Sequence, residues 1–314
     1  MSKNILIIGG TRFFGKHLVR RLLEQGHAVS IATRGLTPDD FGNTVQRLRV
    51  DRRDAAAMQA MFARARYDLV FDQMCYSPLD AAIAADVFAG KAGRYVMSSS
   101  IEVYRHLTDT ISRPLREDDL DPLNTSVDWH YPWRDPALAD ISYAAGKQQA
   151  EAVLLQDGRL PVVILRIAHV LAAQDDFTGR LASYVHQVQQ GDVLHHLAGA
   201  GRSSFLDVAA IVDAMLWAGA ADFLGPVNLA CEGSLSAPQL HARIAGLLQQ
   251  PARLLAIEGT TENSPFDYAR DYVMDTTRAR RLGHTFSAVD DWLDPLILDL
   301  HHQLQAKARG VQYA

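Results

Sequence analysis

The sequence predicts an α/β protein built on a parallel sheet with helices on both faces. Short apolar runs alternate with helical patterns up to Ser100, the first run ends at a glycine-rich turn, and the connections are long enough for crossovers. The chain has 314 residues, 48% of them apolar, which suits one large domain with a smaller lobe. We therefore predict a Rossmann-type doubly wound sheet in a dinucleotide-binding domain over residues 1–170, and a smaller mixed substrate-binding lobe over residues 171–314.

The individual elements follow from local patterns. Apolar runs of strand length predict strands at Asn4–Ile8, Ala28–Thr33, Leu48–Val50, Leu69–Met74, Arg94–Ser100 and Pro161–Val170. Apolar stripes at helical spacing predict helices at Phe14–Gly26, Ala55–Ala63, Pro78–Phe88 and Tyr143–Leu155. Residues 105–140 break the alternation, are rich in Pro, Asp and Trp, and predict a long loop with a function. Segments near residues 203–230 are predicted to return to the sheet.

Composition and charge argue against several classes of protein. The net charge is −5, so no basic surface points to nucleic acid or to an acidic membrane. Cys75 and Cys231 are far apart, and no Cys/His spacing fits a metal site. No apolar run is long enough to span a bilayer, and the N-terminus lacks a signal-peptide pattern. These features predict a cytoplasmic protein that uses no metal and binds neither nucleic acid nor membranes.

The first strand leads directly into the turn "IGGTRFFG", in which Gly9, Arg12 and Gly15 follow at three-residue intervals. Glycines let the backbone turn tightly and approach a pyrophosphate, and the helix that follows offers free N–H groups and a positive dipole end. The position between a strand and a helix therefore predicts a dinucleotide site. The alternative is a tight turn that binds no ligand.

Two arginines near this turn favour NADP over NAD. The second strand ends in "ATRG", which places Arg34 where an NAD site typically has a carboxylate for the ribose hydroxyls. Guanidinium groups of Arg12 and Arg34 would suit a 2′-phosphate. Arg34 could instead be a solvated loop charge. Asp51, after the third strand, could accept a hydrogen bond from the adenine amino group or cap the next helix.

Two further features lie where open parallel sheets bind ligands. The stretch "MSSSIEVY" (Met97–Tyr104) follows the carboxyl end of the fifth strand. The motif "YAAGK" puts Tyr143 and Lys147 one turn apart on one helix face. An ammonium beside a phenol favours the phenolate and lowers the pKa of the tyrosine, so Tyr143 could exchange a proton with a substrate hydroxyl during hydride transfer. An ordinary surface pair is the alternative.

Together these motifs resemble the extended short-chain dehydrogenase/reductases of the NAD(P)-dependent epimerase/dehydratase type. The resemblance covers most of the chain and includes "GGTRFFG", "VDRRD", "YVMSSSIEVY", "YAAGK", "LRIAHV", "RSSFLDVAAIVDA" and "MDTTRARRLG". It implies that Tyr143 is the catalytic acid/base, Lys147 its partner and Ser100 the orienting hydroxyl, and that the chain forms a homodimer. The "GGTRF" form resembles a divergent branch that includes chloroplast stem-loop-binding proteins.

The candidate ligand contacts extend beyond the catalytic set. His169 stands near the place where sugar-nucleotide enzymes commonly have an asparagine, and Arg202 matches an arginine that in such epimerases holds the substrate diphosphate, although it could be a surface charge. The predicted cofactor contacts are Gly9, Thr11, Arg12, Phe13, Phe14, Gly15, Arg34, Asp51, Arg52, Ser98, Tyr143, Lys147, Ile167 and His169. The predicted substrate contacts are Ser100, Trp133, His169 and Arg202.

Glu102 is the fourth predicted catalytic residue. It lies two residues beyond Ser100 and would point the same way on an extended segment, where a carboxylate could remove a proton next to a newly formed ketone. By resemblance, 4,6-dehydratases carry a glutamate here and an aspartic acid one residue earlier, where this chain has Ile101. Complete 4,6-dehydratase chemistry is therefore not expected. A salt bridge at a strand end is the alternative role.

Three aromatic residues occupy the long loop: Trp129, Tyr131 and Trp133. They could stack on a sugar or a base as a substrate wall, or they could pin the loop onto the core.

Taken together, the sequence predicts an NAD(P)-dependent epimerase or reductase that acts on a secondary alcohol or ketone of a nucleotide-linked sugar or a related carbonyl compound. The alternative is a non-catalytic NAD(P)-binding regulator or an RNA-binding relative. The set of Ser100, Tyr143 and Lys147 favours the enzyme, because a sensor would not need it.

Overall fold

The structure is a computed structural model that describes residues 1–259 and 262–308. Its strands are β1 (Asn4–Ile8), β2 (Ala28–Thr33), β3 (Gln46–Arg49), β4 (Leu69–Asp72), β5 (Tyr95–Ser100), β6 (Val162–Ile167), β7 (His169–Leu171), β8 (Leu194–Leu197), β9 (Arg202–Ser203), β10 (Phe205–Asp207), β11 (Gly225–Leu229), β12 (Leu235–Ser236) and β13 (Leu254–Ile257). Its α-helices are α1 (Phe13–Glu24), α2 (Ala55–Met61), α3 (Pro78–Phe88), α4 (Ala139–Asp157), α5 (Arg180–Gln190), α6 (Val208–Ala220), α7 (Ala237–Leu247), α8 (Thr277–Arg281) and α9 (Val289–Ala308). Short 3₁₀ helices cover Ile101–Leu107, Glu117–Asp119 and Pro136–Leu138.

Seven parallel strands form the central sheet in the order β3-β2-β1-β4-β5-β6-β11. The chain runs outward from β1 to β3, crosses back, and continues from β4 on the other side of β1. Strand order therefore reverses between β1 and β4. In open parallel sheets this switch point leaves a crevice at the carboxyl ends of the strands, where ligands bind. The predicted doubly wound α/β fold is confirmed.

Apolar side chains cover both faces of the sheet. In β1, Ile5 and Ile7 belong to one apolar cluster with α1 and α6, whereas Leu6 and Ile8 belong to a second cluster with α2, α3 and α4. Successive side chains of a strand point to opposite faces, so a continuous apolar run is what a strand covered on both sides requires.

The chain leaves the central sheet within the predicted strand Pro161–Val170. Strand β6 ends at Ile167, and β7 begins at His169 and pairs in parallel with β10 instead. The segment containing Phe205 thus lies beside β7 and not in the central sheet, contrary to the expected return. Gly225–Leu229 does enter the central sheet, where it pairs with β6 as an edge strand.

The remaining elements form a second group around α5, α7 and α9, with small sheets β8/β13 and β9/β12. Their apolar side chains, such as Leu181, Leu240 and Leu293, belong to the same cluster as α1 and α6. The division of the chain at residue 170 stays a prediction. None of the helices within residues 1–259 and 262–308 combines the length and the apolar character needed to cross a membrane.

Candidate active site

The glycine turn lies directly at the switch point. Gly9 and Gly10 have φ of +102° and +88°, a region that favours glycine. No side chain caps α1 in the described structure, so the N–H groups of its first turn are free to bind an anion. Arg12 is exposed and has an extended backbone, with φ −137°. The middle position of the turn therefore requires no glycine, and the guanidinium does not fill the turn.

The aromatic residues of the turn fix the start of α1. Phe13 is buried at φ +50° and packs against Phe14, with ring centroids 5.4 Å apart. Thr11 is half-buried before it. Because a non-glycine residue in the left-handed region costs about 1 kcal/mol or more, burial of the Phe13 ring is what holds this turn in place.

Gln73 is a residue of the turn that sequence reasoning missed. It follows β4, and a Cβ added at Gly15 would lie 2.2 Å from its Oε1, so Gln73 would have to move if Gly15 carried a side chain. Its Nε2 is buried without a hydrogen-bond partner among residues 1–259 and 262–308, as is the hydroxyl of Ser98 near the end of β5. Such orphaned groups at the carboxyl edge need a polar partner. They fit a bound dinucleotide, which the turn and the free N–H groups would hold. A residue directly after a buried strand is the signal that could have found Gln73.

The residues predicted for the adenosine end differ in their surroundings. Arg34 is exposed after β2, and within the described ranges neither it nor Arg12 forms an ion pair with a carboxylate. Asp51 is exposed and accepts from the backbone N–H of Arg53 (2.9 Å), while Asp54 caps α2 through its bond to Ala57 (3.0 Å). The capping role considered for Asp51 is thus wrong.

Arg52 does not face this end. Its guanidinium is buried and forms ion pairs with Asp72 and Asp80, the second at 3.1 Å. Tyr95 also donates to Asp72. Arg52 therefore pairs with buried carboxylates, which are costly to leave unpaired, and its contact with a cofactor stays a prediction.

Ser100, Tyr143 and Lys147 converge at the carboxyl end of β5. Lys147 is buried and donates to the carbonyl oxygen of Ser98 at 2.7 Å. Its Nζ lies 5.9 Å from the ring centroid of Tyr143 and 4.3 Å from that of Tyr76. The Ser100 hydroxyl lies near the Tyr143 phenol and acts to lower its pKa. The structure thus brings together the three residues that the motifs single out.

Tyr76 is a second residue that sequence reasoning missed. Its ring lies beneath the Lys147 ammonium, a cation–π arrangement, and its centroid is 6.1 Å from that of Tyr143. It lies in the connection between β4 and α3, which carries no periodic pattern, so no sequence signal marks it.

Protonation of the pair differs from the expectation. Burial raises the pKa of Tyr143 above its ordinary value, and the hydrogen bond with Ser100 only partly offsets this. Burial also lowers the pKa of Lys147 to about 8. The predicted lowering of the Tyr143 pKa by Lys147 is therefore wrong for the protein alone, because desolvation dominates.

Glu102 lies beside this group but not on an extended segment. Residues Ile101–Leu107 form a 3₁₀ helix, whose first turn is fixed by the bond from the Glu102 N–H to the Ser100 hydroxyl (3.2 Å). Its carboxylate pairs with Arg105 at 3.1 Å, the role considered as an alternative. The negative charge of Glu102 also acts to raise the pKa of the Tyr143 phenol.

His169 and Ile167 close the site from the side of β6 and β7. Ile167 is buried and pairs in register with Ser100. His169 is buried among aromatic rings, with Nδ1 3.2 Å from Arg180 and Nε2 3.0 Å from the Tyr268 hydroxyl. Burial, with the charge of Arg180, holds its pKa well below the ordinary value. His169 is therefore a neutral wall residue with both nitrogens engaged.

The other two predicted substrate contacts are engaged elsewhere. Trp133 is buried, donates to the carbonyl oxygen of Asp128 (2.7 Å), and packs against α4, where an added Cβ at Gly146 would lie 3.4 Å from its ring. It pins the long loop onto the core. Arg202 is exposed and pairs with Asp271 at 2.8 Å. Of the aromatic loop residues, Trp129 is exposed to solvent.

A buried ion pair supports the catalytic helix. Glu151, two turns beyond Tyr143 on α4, is fully buried and pairs with Arg166 of β6 at 2.6 Å. Ser99 donates to Glu151 at 2.5 Å, and Arg166 donates to the Tyr104 hydroxyl at 2.8 Å. These bonds fix α4 against β5 and β6, and with it the position of Tyr143.

The fold and the site together define an α/β protein with a glycine turn at the switch point of its sheet and a Ser/Tyr/Lys group at the sheet edge. A model of the NAD dependent epimerase/dehydratase family matches residues 5–84. The chain is 31% identical over 134 residues to chloroplast stem-loop binding protein of 41 kDa b of Arabidopsis thaliana, and 29% over 137 residues to 2'-dehydrokanamycin reductase of Streptomyces kanamyceticus. The matches cover 38% and 42% of this chain, but only 35% and 39% of those relatives.

Solved structures match over nearly the whole chain. UDP-glucose 4-epimerase of Thermotoga maritima, solved with UDP-glucose, has a TM-score of 0.74 at 18% identity and covers 96% of this chain and 99% of its own. The enzyme WbmG of Bordetella bronchiseptica, solved with NAD and UDP, has a TM-score of 0.74 at 16% identity and covers 99% and 96%. The family model thus matches the first part of the chain, over residues 5–84, and the solved structures share its fold over nearly the whole length.

Proposed function

We propose that this protein is an NAD(P)-dependent oxidoreductase that acts on a secondary alcohol or its ketone. The observation that carries this proposal is the convergence of Ser100, Tyr143 and Lys147 at the carboxyl end of β5, one strand away from the switch point with its glycine turn. The cofactor, when bound, would accept or supply the hydride. The orphaned groups of Gln73 and Ser98 are polar partners for it.

In this proposal each residue of the site has a separate role in proton transfer. Tyr143 exchanges the proton of the substrate hydroxyl, and Ser100, within hydrogen-bond reach of the phenol, orients the same oxygen. Lys147 holds a positive charge in an apolar setting and, through the Ser98 carbonyl, ties α4 to β5. In the same proposal Glu102, which pairs with Arg105 at 3.1 Å, accepts a proton from the carbon next to the ketone. This step is needed only if the reaction inverts that neighbouring carbon, and not for simple reduction or for inversion at the oxidised carbon itself.

The cofactor we propose is NADP, with NAD as the alternative. Arg12 and Arg34 are both exposed beside the turn, and in the part of the chain that the structure describes no carboxylate pairs with either. Two free guanidinium groups suit a 2′-phosphate. The similar structures were solved with NAD, so competitive titration of the purified protein with both cofactors decides between them.

The substrate class that we propose is a nucleotide-linked sugar or a related carbonyl compound. Several proteins of the same fold were solved with UDP or a UDP-sugar, which supports epimerisation. The match to 2'-dehydrokanamycin reductase instead supports reduction of a ketone. Ile101 stands where a 4,6-dehydratase would need an acid, so complete dehydration is not proposed.

The test is redox cycling. The purified protein with bound cofactor is mixed with UDP-sugars and with ketones, and the nicotinamide absorbance is followed together with product formation. We expect turnover that Tyr143→Phe abolishes while cofactor binding persists. Cofactor binding without turnover on any candidate would favour a non-catalytic regulator.

A second candidate, RNA binding, is supported by the match to the chloroplast stem-loop binding protein. The net charge of −5 argues against it. Gel-shift titration with stem-loop RNA at two salt concentrations tests it: salt-sensitive binding would favour this candidate.

A further inference from the structure

Arg180 is a cation without a carboxylate partner beside the proposed site. It begins α5, is half-buried, and forms no ion pair with any carboxylate of residues 1–259 or 262–308. Nearby Arg105, by contrast, pairs with both Glu102 and Glu262. Burying a charge partly without a counter-charge costs free energy. An unpaired arginine beside a candidate site is therefore a candidate for binding a ligand that brings the negative charge.

The surroundings hold this guanidinium in one orientation. Its NH1 lies 3.2 Å from His169 Nδ1, its Nε donates to the Thr178 hydroxyl at 3.3 Å, and its Cζ lies 5.2 Å above the ring of Phe266. A guanidinium only donates, so Nδ1 of His169 accepts and the imidazole is neutral, with its proton on Nε2 toward Tyr268. The NH2 group is left without a partner among the described residues. The Arg180 guanidinium, called the fork below, is thus held by its neighbours and keeps hydrogen-bond donors that no described residue uses.

The fork lies near the proposed catalytic residues Ser100 and Tyr143. Ser100 pairs in register with Ile167, two residues before His169, and the Nδ1 of His169 lies 3.2 Å from the Arg180 NH1. In keeping with this geometry, the charges of Arg180 and Glu102 both act on the phenols of Tyr143 and Tyr268. Glu102 is in turn bonded through its N–H to Ser100 at 3.2 Å. Arg105, which pairs with both Glu102 and Glu262, offsets part of their negative charge.

We propose that Arg180 binds an oxyanion of the substrate, either a carboxylate or a phosphate, close to the carbon that Tyr143 serves. The inference rests on the proposed function and narrows the substrate to an anionic alcohol or ketone. A planar guanidinium binds such groups through two parallel hydrogen bonds, and an aromatic platform fixes its plane. Arg202, which the sequence suggested for a phosphate, is paired with Asp271 instead.

The test measures binding of three probes to the cofactor-loaded protein by calorimetry. UDP-glucuronic acid carries a sugar carboxylate and a diphosphate, UDP-glucose only the diphosphate, and inorganic pyrophosphate the diphosphate without uridine or sugar. We expect Arg180→Gln to lower the affinity for the probe that reaches the fork about 10- to 100-fold, as for loss of charged hydrogen bonds. Arg180→Lys should lower this affinity less. Arg159→Gln is the matched control, because Arg159 is an exposed arginine that pairs with Asp86 and Asp157.

The outcomes separate the two sources of the anion. A loss confined to UDP-glucuronic acid assigns the fork to a carboxylate, and an equal loss for all three probes assigns it to a phosphate. Equal affinities of Arg180→Gln and the unaltered protein for every probe, or no binding of any probe to the unaltered protein, overturn the proposal. If Arg180→Gln does not fold, Arg180→Lys carries the comparison. Failure of the unaltered protein to bind NAD(P) would instead refute the proposed function.

Discussion

The two ends of the proposed cofactor site are built in opposite ways. At the adenosine end, Arg12, Arg34 and Asp51 are exposed and their charges have no ion-pair partner in the described chain. At the catalytic end, Lys147 is buried and tied to Ser98, and Tyr143 lies on a helix that is fixed by the Glu151–Arg166 pair. The contrast teaches that cofactor preference can change without touching the fold, whereas the catalytic end is part of the core.

The strongest test of the catalytic end is Tyr143→Phe. Loss of the phenol removes the proposed acid/base, so kcat/KM should fall about 10²- to 10⁴-fold, the usual contribution of such a group. The ring and its packing on Tyr76 remain, so the thermal midpoint and the affinity for NAD(P) should stay as they are. Steady-state kinetics and calorimetry measure both. Activity within threefold of the unaltered protein would refute the assignment of Tyr143.

Glu151→Ala tests how much the buried ion pair of the catalytic end contributes to the free energy of unfolding. It leaves the fully buried Arg166 without its counter-charge, and breaking a buried pair in this way costs about 3–5 kcal/mol of the free energy of unfolding. Urea denaturation measures the change. Arg159→Gln, which breaks only surface pairs, should cost less than about 1 kcal/mol. Equal effects of the two variants would contradict the comparison.

The first strands of the central sheet, and the meeting of Tyr143 and Lys147 on one helix face, could be predicted because local signals carry them. The apolar runs at Asn4–Ile8 and Ala28–Thr33 coincide with β1 and β2, since strands covered on both faces must be apolar throughout. The spacing of Tyr143 and Lys147 fixes their common face, whatever surrounds the helix.

The rest depends on contacts between distant segments. The break at Ala168 cannot be read from the sequence, because the apolar run resumes at Val170, and only the pairing of β7 with β10 sets β7 apart from the central sheet. The ion pairs of Arg52, predicted as a cofactor contact, could not be read from the sequence, since its partners Asp72 and Asp80 lie on other elements. Arg180 was missed because its place beside the Tyr143 phenol depends on how α5 packs.

The pH dependence should also separate the two ends. Burial lowers the pKa of Lys147 from 10.5 to about 8, so if the ammonium is required, activity should fall as the pH rises above about 8. Between pH 8 and 10.5, the ordinary pKa of lysine, Lys147 is protonated more often in the unfolded state than in the folded state. The free energy of unfolding should therefore rise with pH in that window. Lys147→Met should lack this rise in urea denaturation. Parallel pH profiles of both proteins would refute the low pKa.

Arg34→Gln probes the open end and should have the smallest effect. Arg34 is exposed and its side chain has no ion-pair partner in the described residues, so the free energy of unfolding should change by less than about 0.5 kcal/mol, as for ordinary surface substitutions. If Arg34 holds the 2′-phosphate, affinity for NADP should fall about tenfold, the lower range for a charged hydrogen bond, while affinity for NAD stays the same. Arg53→Gln, an exposed neighbour in the next turn, serves as the control. Equal losses of affinity for NADP and NAD would mean that Arg34 contacts a part of the nucleotide that both cofactors share. Unchanged affinity for both would mean that Arg34 does not determine the cofactor preference.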